Sequence, residues 1–443
     1  MSEPLPRRVR VGYGLGSVAT GAFGTVPGLM LLPYLTDSLG LAAALAGVIV
    51  LVPKAWDVVL NPIAGRISDR TVDPRGPRRP FLLRGGIALA ACFALLFAGP
   101  GLGSTTLDAL WVLVAFVACA TAYAFFQVPY VAMPAEITDS YAERTRLMTW
   151  RVAILAFAIM LSGASAPAIR NAVGGVAGYR VMGLVVALLL LVGVVGAYRG
   201  TAPAPVGRAL AGEGTLRDQL RVVAEARDFR LLLTTFVLQA LATGAMLAGV
   251  DYMARWVLGD EDLATVLFVC FVGPALVLTP GWNALGQRIG KRRGYVAASL
   301  VLAAGAALLV TSRDAPHVVV FVATALVGAG YAGAQMFPMA MLPDTAAVDA
   351  HRTGQNRAGV FTGVWTAGET LGLAVGPGLY GLVLALGHYR SSSSGDSVVQ
   401  PSSALTAIIL GFSLVPAVLT LLSLLWLRRY SLTAAEVEEV HTP

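Results

Sequence analysis

The chain has 443 residues, of which 56% are hydrophobic and only 13% charged, with 49 glycines and a formal charge of +7. A soluble protein of this length carries about 25% charged residues, so a soluble enzyme is excluded and a polytopic helical membrane protein is indicated. The positive charge does not mark a nucleic-acid surface, and no alternating-strand pattern suggests a barrel.

A spanning helix needs about 20 apolar residues. Twelve runs meet that length in chain order: 12–36, 41–65, 83–103, 107–133, 148–169, 175–198, 230–257, 263–285, 295–312, 317–342, 358–386 and 404–427. Arg7 and Arg8 precede the first run, but that run is too long for a cleaved leader and lacks a convincing A-x-A site, so it reads as a retained span. Boundaries are weakest at Pro129–Pro134 and Pro338–Pro343, where prolines sit inside or beside apolar residues.

The second run holds the charges that composition does not explain. Lys54 and Asp57 are three apart and share a helix face, with Asn61 on the same face. An ionisable group at mid-membrane costs at least ~2.5–3.5 kcal/mol unless it meets a cavity or a partner, so such residues mark function or a helix-positioning ion pair. On the seventh run Asp251 and Arg255 are four apart near one end, and an interfacial pair or an outer gate are both open.

Basic residues set the orientation. Of 32 Lys and Arg, 25 fall on the N-terminal side of the twelve-span arrangement. Five fall opposite (Arg170, Arg180, Arg255, Arg313 and Arg390), leaving Lys54 and Arg151 in or at the edge of spans. Both termini are therefore expected in the cytoplasm. Residues 199–229 form the longest connection, with charges suited to a surface-lying helix. They divide the chain into a bundle at 1–198 and a bundle at 230–430, followed by a tail at 431–443. The connection after the eleventh run, HYRSSSSGDSVVQPSS, reads as a flexible polar loop.

The two halves repeat. NPIAGR at 61–66 returns as NALGQR at 283–288. Gln127 and Gln335, Pro129 and Pro338, Met133 and Met341, Asp139 and Asp349, and the pairs Arg144-Thr145 and Arg352-Thr353 recur at an offset of about 209. Parallel six-helix repeats place a substrate site between the halves at mid-membrane. Cys92, Cys119 and Cys270 lie in apolar runs without metal-ligand spacing. His317, His351, His388 and His441 lie in loops, at span ends or in the tail, and no phosphate loop occurs, so no catalytic set, metal site or ATP site is expected.

YGLGS at 13–17, WDVVLNPIAGRISDR at 56–70, PYVAMPAEITDSYAERTRL at 129–147 and RTGQNRAGVFTGVW at 352–365 together resemble the glycoside–pentoside–hexuronide:cation symporters of the major facilitator superfamily. The resemblance implies an all-α fold of twelve transmembrane helices in two pseudo-symmetric six-helix bundles. It implies a secondary transporter in the cytoplasmic membrane, acting by alternating access as a monomer, with a small-molecule substrate, a lipid bilayer and no nucleic acid as its surroundings. It makes Gly65, Asp69, Arg70, Asp139 and Arg144 a cytoplasmic latch. The second carboxylate of the family's second-span motif is here Asn61, the first-span acid aligns with Gly21 after Thr20, the fourth-span acid aligns with Gln127, and the eleventh-span lysine aligns with Glu369.

These departures bear on coupling. A Na⁺ site wants several hard oxygen ligands, whereas a proton needs one carboxylate tuned by burial and by a nearby cation. Lys54, Asp57, Asn61 and Glu369 are therefore expected to couple transport to H⁺ in preference to Na⁺, with no cofactor. Gln127, Gln335, Arg151, Tyr123, Tyr130 and Trp365 are expected to line the substrate site, for a small polar or glycosylated solute. An exporter or uncoupled carrier of an amphiphilic metabolite or lysolipid, and a transporter-like receptor or scaffold, stay open as alternatives.

Overall fold

The computed structural model describes residues 5–99, 101–138, 140–204, 221, 223–354, 358–393, 398–432 and 436. Among them, twelve helices or continuous helical segments are long and apolar enough to cross a membrane. The chain divides into two compact units. Unit one comprises Met1–Gly212 with Arg390–Val399, and unit two comprises Glu213–Tyr389 with Gln400–Pro443.

Unit one holds α1 (Arg7–Asp37), α2 (Ala43–Asp69), α3 (Arg79–Leu96), α4 (Thr105–Ile137), α5 (Tyr141–Val173) and α6 (Gly175–Gly200). Helix α1 is the most buried span and packs on α5 and α6, while α2 packs on α4, and α3 lies against α4 and α6. Small residues allow these approaches. A Cβ at Gly12 of α1 would fall on the backbone of Gly200 in α6, so the two helices meet there backbone to backbone. Gly174, in the left-handed region at φ 75°, caps α5 and starts α6.

Unit two holds α7 (Arg227–Tyr252, continued by a π-helical turn at Met253–Val257), α8 (Leu263–Ile289), α9 (Lys291–Leu308), α10 (His317–Thr353), α11 (Ala358–Leu386), α12 (Ser402–Phe412) and α13 (Leu414–Leu427). Here α7 packs on α11 and α13, α8 on α10, and α9 on α10 and α13. Counting α12 and α13 as one span, the neighbour pattern of unit one returns six spans later.

Several boundaries differ from the sequence reading. Helices α4 and α10 run through Pro129 and Pro134, and through Pro338 and Pro343, to lengths of 33 and 37 residues. Losing one hydrogen bond at a proline costs less than ending a helix in apolar surroundings with four orphan carbonyls. The third span ends early, at Leu96, before Gly99, Gly101 and Gly103 take positive φ. The last span breaks at Ser413 (φ −120°, ψ −75°), three residues before Pro416, whose ring clashes with the carbonyl four positions back.

Part of the polar loop after α11 is held. The Ser392 N–H donates to the Thr36 carbonyl at 3.0 Å, and the Ser391 hydroxyl donates to the Leu41 carbonyl at 2.5 Å. Asp139, most of the 199–229 connection and most of the tail lie outside the described residues.

Candidate functional site

The charged face of α2 is built as the spacing requires. Lys54 Nζ lies 3.9 Å from Asp57 Oδ2. It also sits 5.1 Å from the centre of the Phe23 ring on α1, a cation–π contact that holds the ammonium away from lipid. Asp57 is 2% exposed, and its Oδ1 is buried with no hydrogen-bond partner among the described residues. Asn61 is partly exposed one turn further on. Trp56, 43% exposed, points away from this face and donates from Nε1 to the Thr121 hydroxyl of α4 at 3.1 Å.

Helix α4 brings the next group. The Thr20 hydroxyl of α1 donates to Gln127 Oε1 at 2.7 Å. Tyr123, one turn before Gln127, packs on Phe23 with ring centres 4.6 Å apart. Gly21, where the family's first-span acid aligns, packs directly on α5. A Cβ there would lie 3.0 Å from Ala158 Cβ and 3.2 Å from the Leu155 carbonyl, so a side chain would have to push α5 back by a few tenths of an ångström.

Tyr130 is fully buried. It stacks on Tyr13 at 4.7 Å, donates its hydroxyl to the Tyr13 carbonyl at 2.8 Å and so accepts from Ser17 at 2.9 Å. Its ring carries Arg151 of α5, whose guanidinium carbon is 5.7 Å from the ring centre. Arg151 is partly buried, Met148 Sδ is 3.9 Å from its Nη1, and its Nε has no hydrogen-bond partner among the described residues. Lys54, Asp57, Tyr123, Gln127 and Arg151 are thus linked through Phe23, Thr20 and Tyr130 within unit one. Tyr130 belongs to the core that supports the group, not to its accessible face.

In unit two, Gln335 Nε2 donates to the Tyr331 hydroxyl at 3.0 Å, and Glu369 lies within electrostatic range of the same tyrosine. Trp365 is 1% exposed and stacks on Phe236 at 4.3 Å, so it too is a packing residue. Arg255 donates to Glu261 at 2.8 Å, beyond the π-helical turn, while Asp251 is 1% exposed.

Of the residues expected to form a latch, Gly65, Asp69 and Arg70 lie at the end of α2 and Arg144 in the first turn of α5. Gly65 has room for a side chain, with Val128 3.5 Å from the position of a Cβ. Arg70 is an exposed C-cap residue of α2. Asp69 pairs with Arg78 at 2.6 Å, and Arg78, only 4% exposed, also donates to Glu136 of α4 through Nε at 2.7 Å and to the Ser68 hydroxyl at 2.5 Å. Arg144 donates to the Thr138 carbonyl at 2.9 Å.

Unit two repeats the Arg78 arrangement: Lys291, following α8, reaches Asp344 of α10 at 2.5 Å. A second cluster forms at the start of α5. Ser140 caps Glu143 N–H at 3.4 Å, and the Glu143 carboxylate accepts from Arg10 Nε at 3.0 Å, Arg146 at 2.6 Å and Leu5 N–H at 3.3 Å. Burial opposes its charge, but the hydrogen bonds from Arg146 and Arg10 prevail and hold the Glu143 carboxyl below the usual carboxylate range.

Sequence reasoning did not single out Arg78, Glu136, Arg10, Glu143, Ser17 or Phe23. A signal existed for four of them. Acids at span ends on the basic side are candidate partners for nearby arginines.

Residues 12–434 match the family described as MFS/sugar transport protein. The chain is 28% identical to the putative glycoside/cation symporter YagG of Escherichia coli (strain K12), with 98% of this chain and 94% of that protein covered. It is 27% identical to the glucuronide carrier protein homolog of the same strain, with 99% and 96% covered. A solved D-xylose-proton symporter superposes with a TM-score of 0.66 over 95% of this chain and 96% of that one, and at 14% identity it shows the fold. The chain belongs to the MFS/sugar transport protein family, as its sequence motifs implied, and is a multi-pass membrane transporter, not an enzyme.

Proposed function

We propose that the protein is a proton-coupled symporter that moves a small polar or glycosylated solute by alternating access. The observation that carries this reading is Asp57. It is a carboxylate held out of water, with one oxygen near Lys54 at 3.9 Å and the other without a hydrogen-bond partner among the described residues. Such a group can gain or lose a proton with little rearrangement. Sodium needs several oxygens at fixed distances, and the second carboxylate of the motif is Asn61. We assign coupling to Lys54 and Asp57, with Asn61 beside them and Glu369 as the further titratable group in unit two.

Substrate contacts are assigned to Gln127, Arg151 and Tyr123 in unit one and Gln335 in unit two, with Tyr130 and Trp365 as supports. Glycosylated solutes are supported by the names of the relatives, a glycoside/cation symporter and a glucuronide carrier homolog. Gly65, Asp69, Arg70, Asp139 and Arg144 are assigned to a cytoplasmic latch, to which the contacts of Asp69 add Arg78 and Glu136. We place the protein in the cytoplasmic membrane as a monomer with both termini inside, built of bundles at 1–198 and 230–430, and without a nucleic-acid partner.

The test is uptake and exchange in proteoliposomes across a panel of labelled sugars, glycosides and their acids. D57N is expected to abolish uphill accumulation while preserving exchange of external for internal solute. Loss of both with the protein still folded would make Asp57 a substrate ligand instead. No movement of any panel member by the wild type would overturn the reading.

A further inference from the structure

The start of α3 and the end of α6 gather arginines for which unit one supplies too few acids. Arg79, the first residue of α3, donates from Nη2 to the Tyr198 carbonyl of α6 at 2.8 Å. Its guanidinium carbon lies 4.6 Å from the centre of the Tyr198 ring. Its Nε is buried without a hydrogen-bond partner, and among the described residues no acid lies within ion-pair distance of it. Arg199, next to Tyr198, and Arg84, in the second turn of α3, are exposed and form no ion pair among the described residues. Arg75 lies within interaction range of the Tyr198 side chain and forks onto Asp73, from Nε at 3.1 Å and from Nη2 at 3.2 Å. Arg84 is within electrostatic range of that same carboxylate. Arg78 is taken up by Asp69 and Glu136. Five arginines meet three acids, and Arg79, Arg84 and Arg199 are the ones that no acid pairs.

Both helices are membrane-crossing lengths, and these arginines stand at one end of them. They touch at Gly86, where a Cβ would fall on the Val194 side chain. Each carries exposed apolar residues leading away from its arginine, Ile87 and Leu95 on α3 and Leu188 and Val192 on α6. A guanidinium pairs with a phosphate through charge-assisted hydrogen bonds, and basic residues at a bilayer surface attract anionic headgroups. A free anion would use the arginines alone, whereas a phospholipid also uses the apolar stripes. A choline headgroup would bring its own cation against the arginines, and a headgroup with net negative charge would not.

We infer that Arg79, Arg84 and Arg199 form a headgroup site for an anionic phospholipid, its phosphate on the arginines and its chains along α3 and α6. Arg79 is the anchor, held in place by Tyr198, and the two exposed arginines flank it. The site is separate from the residues assigned to solute and coupling, and goes beyond the transport reading.

The test titrates the purified full-length protein, in neutral detergent, with phosphatidylglycerol or with phosphatidylcholine of the same acyl chains. Bound lipid is counted by native mass spectrometry. The wild type is expected to hold phosphatidylglycerol about tenfold or more tightly than phosphatidylcholine. R84Q/R199Q, which alters two exposed side chains, is expected to lower that preference severalfold, and R79Q/R84Q/R199Q to remove it. R8Q/R288Q/R293Q takes the same charge from three exposed arginines elsewhere and is expected to keep it. Inorganic phosphate is expected to displace the lipid no better than chloride of equal ionic strength. Loss of both lipids alike in R79Q/R84Q/R199Q marks a folding defect, and R84Q/R199Q then decides. No preference in the wild type, or an equal loss in R84Q/R199Q and R8Q/R288Q/R293Q, overturns the inference. Specific displacement by inorganic phosphate makes the arginines a site for a free anion and overturns the lipid.

Discussion

Lys54 and Asp57 were legible in the sequence because two charges inside a long apolar run cannot be ignored, and their spacing alone puts them on one face. What supports them was not legible. Phe23 under the ammonium and Thr20 on the Gln127 amide are ordinary membrane-helix residues whose meaning comes only from the packing of α1 on its neighbours. The same geometry makes a stability prediction. K54Q leaves Asp57 buried with its cation removed, which is expected to cost about 1–2 kcal/mol, below the ~3–5 kcal/mol of a fully enclosed pair because Lys54 is partly exposed and the contact is long. The double variant K54Q/D57N is expected to recover most of that loss in thermal unfolding of the purified protein. Additive losses in the two single variants would show that the residues do not interact.

At the scale of the element, span number and order were readable from apolar length, and the repeat from paired prolines and glutamines. The ends of α4 and α10 were not, because proline reads as a helix breaker in water and is tolerated where no solvent can satisfy a broken end. Glycine carries the helix contacts. G200A puts a methyl group on the backbone of Gly12 and is expected to cost about 1–3 kcal/mol through forced separation of α1 and α6. G24A, on the same α1 but with nothing within 4 Å of a Cβ, is expected to be neutral or to stabilise by up to ~1 kcal/mol. Equal melting shifts for the two would contradict the backbone contact.

The Glu143 cluster ties α1 to the start of α5 and makes a pH prediction. Because its folded-state carboxyl is held below the ordinary glutamate range, its contribution is complete above the unfolded value of about 4.3 and is lost as pH falls through the lower folded value. E143Q is therefore expected to lower the melting temperature at neutral pH and to flatten its acid dependence. An acid dependence unchanged in E143Q would remove Glu143 as its source.

For the whole molecule, the return of the neighbour pattern six spans later gives each unit the same plan with different chemistry. Each unit ties the start of its third span to an acid in the later part of its fourth, through Arg78 with Glu136 in one and Lys291 with Asp344 in the other. The membrane-depth charges are unequal: Lys54, Asp57 and Arg151 in unit one, Glu369 in unit two. That asymmetry, visible in the sequence, is what the proposal of proton coupling rests on.

The central claim is tested most directly by imposing one gradient at a time on proteoliposomes holding the purified protein and a transported solute. A pH gradient, acid outside and without sodium, is expected to drive uphill uptake that D57N abolishes. A sodium gradient at equal pH is expected to drive none. Uphill uptake under the sodium gradient alone, unaffected by pH, would contradict the account.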